Sequence, residues 1–288
     1  MTFDAVAMSA IRPSHVEHWI KGQLAVGAQA STIRTRYNYV HAAFRAAVAD
    51  RVIAGDPAAG VRLPRVRKAA AAMTIPTPEQ VAAALDAAAW WFRPYVAVCA
   101  FAGLRLGEAA GLQLDDVDFL RRMIAVRRQM QGENVATTHA TEPKFGSERV
   151  IYVPAELLAI LSEHVARTGV GSSDWLFIGQ DGTPLNRSSA GHQWRQVRRA
   201  AGIGPFTLHD LRHFYASGLI ASGCDVATVQ RALGHSSATI TLGVYSHLWP
   251  AAEDRTRAAA ADLMASVLGR PADSLRTGGP RQASDLRK

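Results

Sequence analysis

Hydrophobic residues recur at helical spacing in the first sixty residues of the chain. In the stretch from Ser31 to about Asp50, intervals of three and four positions separate Ile33, Tyr37, Val40, Phe44 and Val48. Residues at such intervals lie on one face of an α-helix, which can then be buried. Ser31 is the predicted N-cap of this helix, and Ser14-x-x-Glu17 predicts a capping box at the start of an earlier one. Residues 1–61 are therefore predicted to form a small helical domain.

The helical pattern stops at residues 62–77, RLPRVRKAAAAMTIPT, which contain two prolines, four basic residues and no acid. This composition predicts an extended, positively charged linker that either lies along a polyanion or is an ordinary exposed connector. Thr77-Pro78-Glu79-Gln80 then predicts a new helix, with Thr77 as N-cap and Gln80 completing a capping box. Alanine-rich, helical sequence continues from there to Ala110.

Short segments that favour β-strands follow, at Val117–Phe119, Met123–Arg128 and Arg149–Val153. A tight turn near Arg121 joins the first two, so the segments predict a small antiparallel sheet. Helices then resume. The one at about 188–201 is basic and is either a DNA-contacting helix or a solvated face. The predicted fold class is mainly α with a small antiparallel β-sheet. The last predicted helix is 252–268, and a Gly-, Pro-, Ser- and Arg-rich tail from 270 to 288 is predicted to be disordered.

The charge balance points to a polyanionic partner. Lys and Arg number 32 against 24 Asp and Glu, a net charge of +8. Such an excess favours nucleic acid first and an anionic membrane second, with a generally basic soluble protein as the alternative. The candidate DNA contacts lie in the first domain, the linker and the helix at 188–201: Arg34, Arg45, Arg62, Arg65, Arg67, Lys68, Arg195, Arg198 and Arg199.

The remaining composition predicts a cytoplasmic protein without a metal or another cofactor. Cys99 and Cys224 are far apart in apolar stretches, as expected of buried thiols in a reducing compartment. Cys and His residues do not follow zinc-finger spacing, and the chain starts without a signal-peptide pattern. The longest strongly apolar run, Tyr95–Leu104, is far shorter than the ~20 residues of a membrane span.

Two arginines are candidates for binding a phosphate. Arg105 lies in GLRLGE and Arg212 in LHDLRH, and the planar guanidinium group makes paired, charge-assisted hydrogen bonds to anions. Two converging arginines repel each other unless an anion lies between them. Each arginine alone is more often a salt-bridge partner, and Glu108 is a candidate partner for Arg105. His209 shares a helical face with Arg212, at a predicted helix start that attracts anions.

The remaining candidates could supply a nucleophile and proton transfer. Tyr245 follows Gly234-His235 by ten residues, and a phenol becomes nucleophilic near neutral pH when its proton is removed in a positive environment. Lys144, in EPKFGSERVIYVP, is a candidate general acid, although a lone lysine is otherwise simply solvated. His213 is interpreted as a structural or supporting residue.

Taken in order, these motifs resemble the tyrosine recombinases of the phage integrase family. The matching segments are Gly103-Leu-Arg-Leu-Gly-Glu108, Lys144 five residues before Arg149, His209-Asp-Leu-Arg-His213, Leu233-Gly-His-Ser236 and Tyr245. The resemblance covers about residues 14–250. It implies that 1–61 is a helical, SAM-like core-binding domain and that 78–250 is a mixed α/β catalytic domain after the linker at 62–77. Because the predicted core-binding domain begins near Ser14, we expect this sequence to lack the further arm-binding domain of many phage integrases, either because the protein works with simple sites or because that domain has been removed.

The resemblance also implies a mechanism. The residues around the scissile phosphate would be Arg105, Lys144, His209, Arg212 and His235, with Tyr245 as the nucleophile that forms a 3′-phosphotyrosyl bond. The implied partners are double-stranded core-type recombination sites and three further protomers in a tetramer, and an accessory directionality factor is compatible with this. The segment 251–269 would pack on a neighbouring protomer or fold back on its own domain. A type IB topoisomerase and a non-catalytic DNA-binding regulator are the alternative functions.

Overall fold

A computed structural model describes residues 6–65, 75–132, 134–170, 174–249 and 252–268. The chain divides into two compact units, Met1–Ala72 and Met73–Lys288. Most of the predicted linker, residues 66–74, lies outside the described residues, together with Arg67 and Lys68, and so does the predicted disordered tail at 270–288. Within the described parts, no helix has both the length and the hydropathy that crossing a membrane requires.

The first unit contains helices α1 (Pro13–Ala25) and α2 (Ala30–Ala49). The predicted apolar stripe of α2 faces the core of this unit. Ile33, Tyr37 and Phe44 are buried, and Val40 and Val48 pack against them. The packing partners on α1 are Val16 and Ile20, four residues apart on one helical face.

Both N-caps predicted for this unit are wrong. Helix α1 begins at Pro13 with Arg12 as its N-cap, and Ser14 is already helical. Proline suits the first helical position because its ring fixes a helical φ and that position needs no N–H donor. The backbone N–H of Arg12 donates to Nδ1 of His15 at 3.2 Å. Ser31 lies inside the first turn of α2, whose N-cap is Gln29.

The second unit is mainly helical. Its first helix begins as predicted, because Thr77 Oγ1 accepts from the N–H of Gln80 at 3.3 Å, and Gln80 Oε1 accepts from the N–H of Thr77 at 2.9 Å. The helices are α3 (Pro78–Ala87), α4 (Arg93–Phe101), α5 (Leu106–Ala110), α6 (Ala155–Thr168), α7 (Arg187–Ala201), α8 (Leu208–Ala221), α9 (Val226–Leu233), α10 (Ala238–Tyr245) and α11 (Ala252–Leu268).

The predicted antiparallel sheet is confirmed. Strands β1 (Val117–Asp118), β2 (Met123–Val126) and β5 (Arg149–Tyr152) pair in the order β1-β2-β5. Ile124 of β2 is opposite both Val117 and Ile151, so these apolar residues point together into the core. A separate hairpin of β3 (Gln129–Gln131) and β4 (His139–Thr141) was not predicted.

Helix α4 lies at the centre of the second unit. Its residues 94–100, which include Cys99, are buried, and the helix packs against α6 and α8. Helix α8 also contacts α9, and α9 contacts both α10 and strand β5. A small separate core joins α8, α9 and α10 and consists of Ala216, Ile220, Val229, Leu233 and Tyr245. This packing brings the ends of several elements together around the carboxyl end of α9.

Candidate active site

The carboxyl end of α9 holds three arginine side chains. The last carbonyls of an α-helix have no partner within the helix and carry partial negative charge. Gly234 follows the helix in the left-handed conformation, with φ of 62°, which glycine adopts without strain. The arginine hydrogen bonds to consecutive carbonyls run from Arg149 Nε to Ala232 O (3.0 Å), from Arg212 Nη2 to Leu233 O, and from Arg105 Nη2 to Gly234 O (3.0 Å).

A fully buried carboxylate joins two of these arginines. Arg105 Nη1 donates to Glu108 Oε1 at 2.6 Å, and Arg149 donates to both carboxylate oxygens at 3.1 and 2.8 Å. Burial alone would raise the pKa of Glu108, but the hydrogen bond from Arg149 and the charges of Arg149, Arg105 and Arg212 lower it to about 2. The three arginines and this one carboxylate therefore leave an excess of two positive charges in the cluster.

Arg212 is the most enclosed of the three cations, with 2% of its surface exposed. The predicted helix start near His209 is observed: α8 starts at Leu208 with Thr207 as N-cap, and Thr207 N–H donates to Asp210 Oδ2 at 2.6 Å. Arg212 Nη1 donates to the carbonyl of Gly103 at 2.6 Å. Burial and then the charge of Arg105 lower the pKa of Arg212 to about 9. The guanidinium therefore stays charged at neutral pH, where it can bind an anion.

Tyr245 ends helix α10, and its side chain lies in the small core between α8, α9 and α10 with 1% exposure. Burial raises the pKa of its phenol to about 12, although the charge of Arg212 acts in the opposite direction. Its hydroxyl lies 2.7 Å from Nδ1 of His213. The ring of His235 lies nearly parallel to the tyrosine ring, with centroids 6.5 Å apart, and Nδ1 of His235 lies 2.9 Å from Thr241 Oγ1.

A cavity of about 570 Å³ opens beside the cluster, and its walls include Arg105, Lys144, His209 and Arg187. Lys144 is exposed on a 3-10 turn between β4 and β5, and its side chain lines the cavity. A larger cavity of about 820 Å³ lies elsewhere, beside Phe119 and Leu120, and contains none of the candidate catalytic residues. The candidate site is therefore identified by the charged side chains around the cavity and not by the volume of the cavity.

The structure brings the six candidate residues into one region. Arg105, Arg212, His235 and Tyr245 lie around the end of α9, and Lys144 and His209 line the adjoining cavity with Arg105. The candidate DNA contacts that the structure describes are mostly exposed. They are Arg34, Arg45, Arg62 and Arg65 in the first unit, and Arg195, Arg199 and the half-buried Arg198 on α7.

Arg149 was not predicted as a site residue. The alternation of inward and outward side chains along β5 could have identified Arg149. Val150 and Tyr152 are exposed, whereas Arg149 and Ile151 point to the opposite, inner side of the sheet. An arginine at an inward position of a strand needs a buried partner because an unpaired buried charge is costly. For the contact between His213 and Tyr245, which are 32 residues apart, the sequence holds no comparable signal.

Among the described residues, no group of three or more His, Cys, Asp or Glu side chains is arranged to hold a metal ion. The charged groups at the site are instead guanidinium and ammonium groups with one carboxylate. These can bind and stabilise the charge of a tetrahedral anion such as a phosphate ester.

Comparisons with curated proteins agree with this chemistry. The chain is 25% identical over 269 residues to a tyrosine recombinase XerC-like protein of Caldanaerobacter subterraneus subsp. tengcongensis, which covers 84% of this chain and 69% of that protein. It is 34% identical over 152 residues to transposase A from transposon Tn554 of Staphylococcus aureus, over 51% of this chain and 40% of the transposase. The chain thus spans less than half of the transposase.

Two solved structures share the fold. An integrase of transposon Tn1549 in complex with a circular intermediate DNA has a TM-score of 0.72 at 22% identity, covering 88% of this chain and 86% of that one. A lambda integrase tetramer bound to a Holliday junction has a TM-score of 0.62 at 18% identity, covering 81% and 66%. The phage integrase family model matches residues 75–251, more than half of the chain. The protein with this arginine cluster and buried tyrosine therefore belongs to the phage integrase family of tyrosine recombinases.

Proposed function

We propose that this protein is a site-specific DNA recombinase that cuts and rejoins DNA strands through a covalent bond between Tyr245 and a 3′-phosphate. The observation that carries the proposal is the excess of two positive charges where three arginines meet one carboxylate, beside a buried tyrosine. Cations held together at this density favour an anion among them. A DNA phosphodiester is the anion that suits a basic protein of net charge +8.

In the proposed reaction, Arg105 and Arg212 bind the non-bridging oxygens of the scissile phosphate. Their positions are fixed before DNA binds, because each already donates to a carbonyl at the end of α9. Preorganised donors stabilise the negative charge that develops in the transition state without reorganising first. His235 and His209 complete the surroundings of the phosphate as further hydrogen-bond donors.

Tyr245 attacks phosphorus, and the bond from phosphorus to the 5′ oxygen breaks. Lys144 gives a proton to this leaving oxygen, which suits its exposed position on the cavity rim. The phosphotyrosyl bond conserves the energy of the broken ester, so that a 5′-hydroxyl of another strand can attack it and release the enzyme. Strand exchange is then two such transfers, with no nucleotide hydrolysis.

The proposed assembly is a tetramer on two paired DNA sites, and the proposed role is integration or excision of mobile DNA. The Tn1549 integrase bound to circular intermediate DNA and the lambda integrase tetramer on a Holliday junction support this by their shared fold. Helix α11 supports it as well, because its apolar side chains Leu263, Met264 and Val267 are 67%, 63% and 77% exposed. We propose that they pack on a neighbouring protomer.

The first test is covalent capture. Sites are selected from random duplexes with the wild-type protein and are then nicked close to the cleavage point, so that the short product diffuses away. We expect a DNA-linked protein that survives denaturation and whose modified peptide contains Tyr245. Tyr245→Phe should bind the same duplex with unchanged affinity and form no adduct, because the attacking oxygen is missing. Wild-type protein that binds the selected sites without any adduct contradicts the proposal.

A reaction with two intact selected duplexes distinguishes a recombinase from a topoisomerase. Recombinant duplexes are the expected product. Relaxation of supercoiled DNA without recombinants would instead indicate a topoisomerase, which uses the same covalent chemistry without a partner site.

A further inference from the structure

The hydroxyl of Tyr245 already has a hydrogen-bond partner, Nδ1 of His213, at 2.7 Å. The two rings meet edge to face, with centroids 5.5 Å apart. His213 follows Arg212 directly on α8, so the helix that positions a phosphate-binding arginine also places an imidazole against the nucleophile. With 1% of Tyr245 exposed, bulk water has little access to its hydroxyl.

The direction of this hydrogen bond follows from the chemistry of the two groups. Burial, and then the neighbouring His209, lower the pKa of His213 to about 4, so the imidazole is neutral near pH 7. A neutral imidazole donates from one ring nitrogen and accepts at the other. Burial raises the pKa of the Tyr245 phenol, so the phenol keeps its proton near neutral pH. The hydroxyl therefore donates to Nδ1, and the imidazole proton is on Nε2.

We propose that His213 is the base that accepts the proton of Tyr245 when the tyrosine attacks DNA. The inference rests on the proposed function. As the phenolic oxygen forms its bond to phosphorus, the O–H proton passes to Nδ1 of His213 and gives an imidazolium. The bond from phosphorus to the 5′ oxygen breaks with its electron pair, and that oxygen takes a proton from Lys144. Rejoining returns each proton to its donor.

The other histidines of the site are placed differently. His235 presents its ring nearly parallel to the ring of Tyr245, and its Nδ1 is engaged with Thr241. His209 stands edge to face against His213, with centroids 5.0 Å apart, and lines the cavity. His213 is thus the histidine whose ring nitrogen meets the reacting oxygen.

The charged neighbours of His213 make its basicity depend on bound DNA. A positive charge on His213 is disfavoured by Arg212 and His209 on α8 and by His235 after α9. Asp210 on α8 favours that charge. A phosphate bound to Arg212 and Arg105 adds negative charge close to the imidazole, and a nearby opposite charge favours the protonated form. Proton transfer from Tyr245 therefore becomes easier once a phosphate is in place, which links activation of the nucleophile to substrate binding.

The experiment compares His213→Asn and His213→Ala with wild type on the nicked, selected duplex. Asparagine places an acceptor oxygen near the position of Nδ1 but cannot take up a proton at neutral pH. The measured quantities are the single-turnover rate of adduct formation and, separately, the affinity for the duplex. His247→Asn, an exposed histidine two residues after Tyr245, is the matched control and should react like wild type.

We expect both His213 variants to bind the duplex normally and to form the adduct about 10²-fold more slowly or worse, the usual contribution of a general base. Added imidazole should partly restore His213→Ala. A His213→Asn variant within about threefold of wild type would overturn the proposal, because hydrogen-bond acceptance alone would then suffice. A His213→Ala variant that forms the adduct faster than wild type would also overturn the proposal. It would mean that the contact with His213 holds Tyr245 in an unreactive position.

The wild type provides a test that is independent of whether the variants fold. A duplex with sulfur in place of the 5′ bridging oxygen has a leaving group that needs no proton, which removes the contribution of Lys144. On this substrate the adduct rate should fall as pH drops through the pKa of His213 in the complex. A rate that stays constant from about pH 9, above the ordinary imidazole range, down to below the free-protein pKa of His213, about 4, would overturn the role of His213. Absence of any wild-type adduct would instead refute the proposed function itself.

Discussion

Glu108 helps to hold Arg105 and Arg149 in place before DNA binds. Its carboxylate is fully buried and is paired with both Arg105 and Arg149. Removing one member of a buried ion pair leaves an uncompensated charge in a poorly solvated place. Arg105, which we propose binds the scissile phosphate, therefore depends on a neighbouring carboxylate that would not itself touch the phosphate.

Replacing Glu108 with Gln should reveal this dependence as a change in stability with pH. The folded-state pKa lies at about 2, below its ordinary 4.5, so the carboxylate stabilises the fold above pH 4.5 and this contribution is lost as pH falls toward 2. We expect Glu108→Gln to be about 3–5 kcal/mol less stable at pH 7. The difference should shrink by up to about 3 kcal/mol as the pH is lowered.

Urea unfolding at a series of pH values measures both quantities. Glu163→Gln is the control, since Glu163 is 66% exposed and pairs with Arg167 across one helical turn. Exposed pairs of this kind contribute about 0.3–0.5 kcal/mol. A Glu108→Gln variant whose deficit stays constant from pH 7 to 3 would show that the buried carboxylate does not carry this pH dependence.

At the scale of elements, the end of α9 requires a glycine at position 234. A Cβ there would lie 2.8 Å from Arg149 Nη1 and 3.0 Å from its Cδ and Cζ, and φ is +62°. Gly202 at the end of α7 has the same φ but open space around it, which makes it a matched control. Gly202→Ala carries the strain of the left-handed conformation alone, about 1–2 kcal/mol.

Gly234→Ala should lower the free energy of unfolding by the strain of the left-handed conformation and by a further ~1–3 kcal/mol, because the new methyl group displaces Arg149. It should also slow adduct formation by about 10²-fold, the effect of a small misplacement of catalytic groups, while Gly202→Ala keeps normal cleavage. Thermal unfolding and the single-turnover adduct rate test the pair of variants. Equal cleavage by the two would mean that the alanine at 234 is accommodated without moving the arginines.

Helix caps and short strands show which elements the sequence can predict. The Thr77 capping box was predicted correctly because all its partners lie within four residues. The cap at Ser14 was wrong because α1 starts at Pro13 with Arg12 as its N-cap, two residues before the predicted cap. The β3–β4 hairpin was missed because strands of three residues are too short to show alternation.

Across the whole molecule, the six candidate residues were named from their motifs, but the way they are held was not predictable. Arg105, Arg149 and Arg212 come from three elements and meet at carbonyls 232–234. No local pattern encodes contacts between residues up to 129 positions apart. The pairing of Tyr245 with His213 likewise depends on how α8 and α10 pack.

Helix α11 gives a prediction at this scale. Changing Leu263, Met264 and Val267 together to Ser should leave the free energy of unfolding within about 0.5 kcal/mol of wild type, because these side chains are exposed. Assembly on paired sites should fall at least about tenfold, since buried apolar anchors dominate interface energies. Native gels and light scattering with DNA measure the assembly.

Leu120→Ser removes an apolar side chain that is 95% exposed in the turn after β1, and it should assemble like wild type. Normal assembly of the triple variant would exclude these three residues as the contact between protomers.

The arrangement around α9 limits how the enzyme can be altered. We propose that the exposed arginines Arg195 and Arg199 of α7 contact DNA, so exchanging them should change DNA binding. A deletion of one residue within Val226–Leu233, by contrast, rotates the final carbonyls by about 100° and detaches three cations in a single step. Helix α9 must therefore keep its length of eight residues if the three arginines are to stay together.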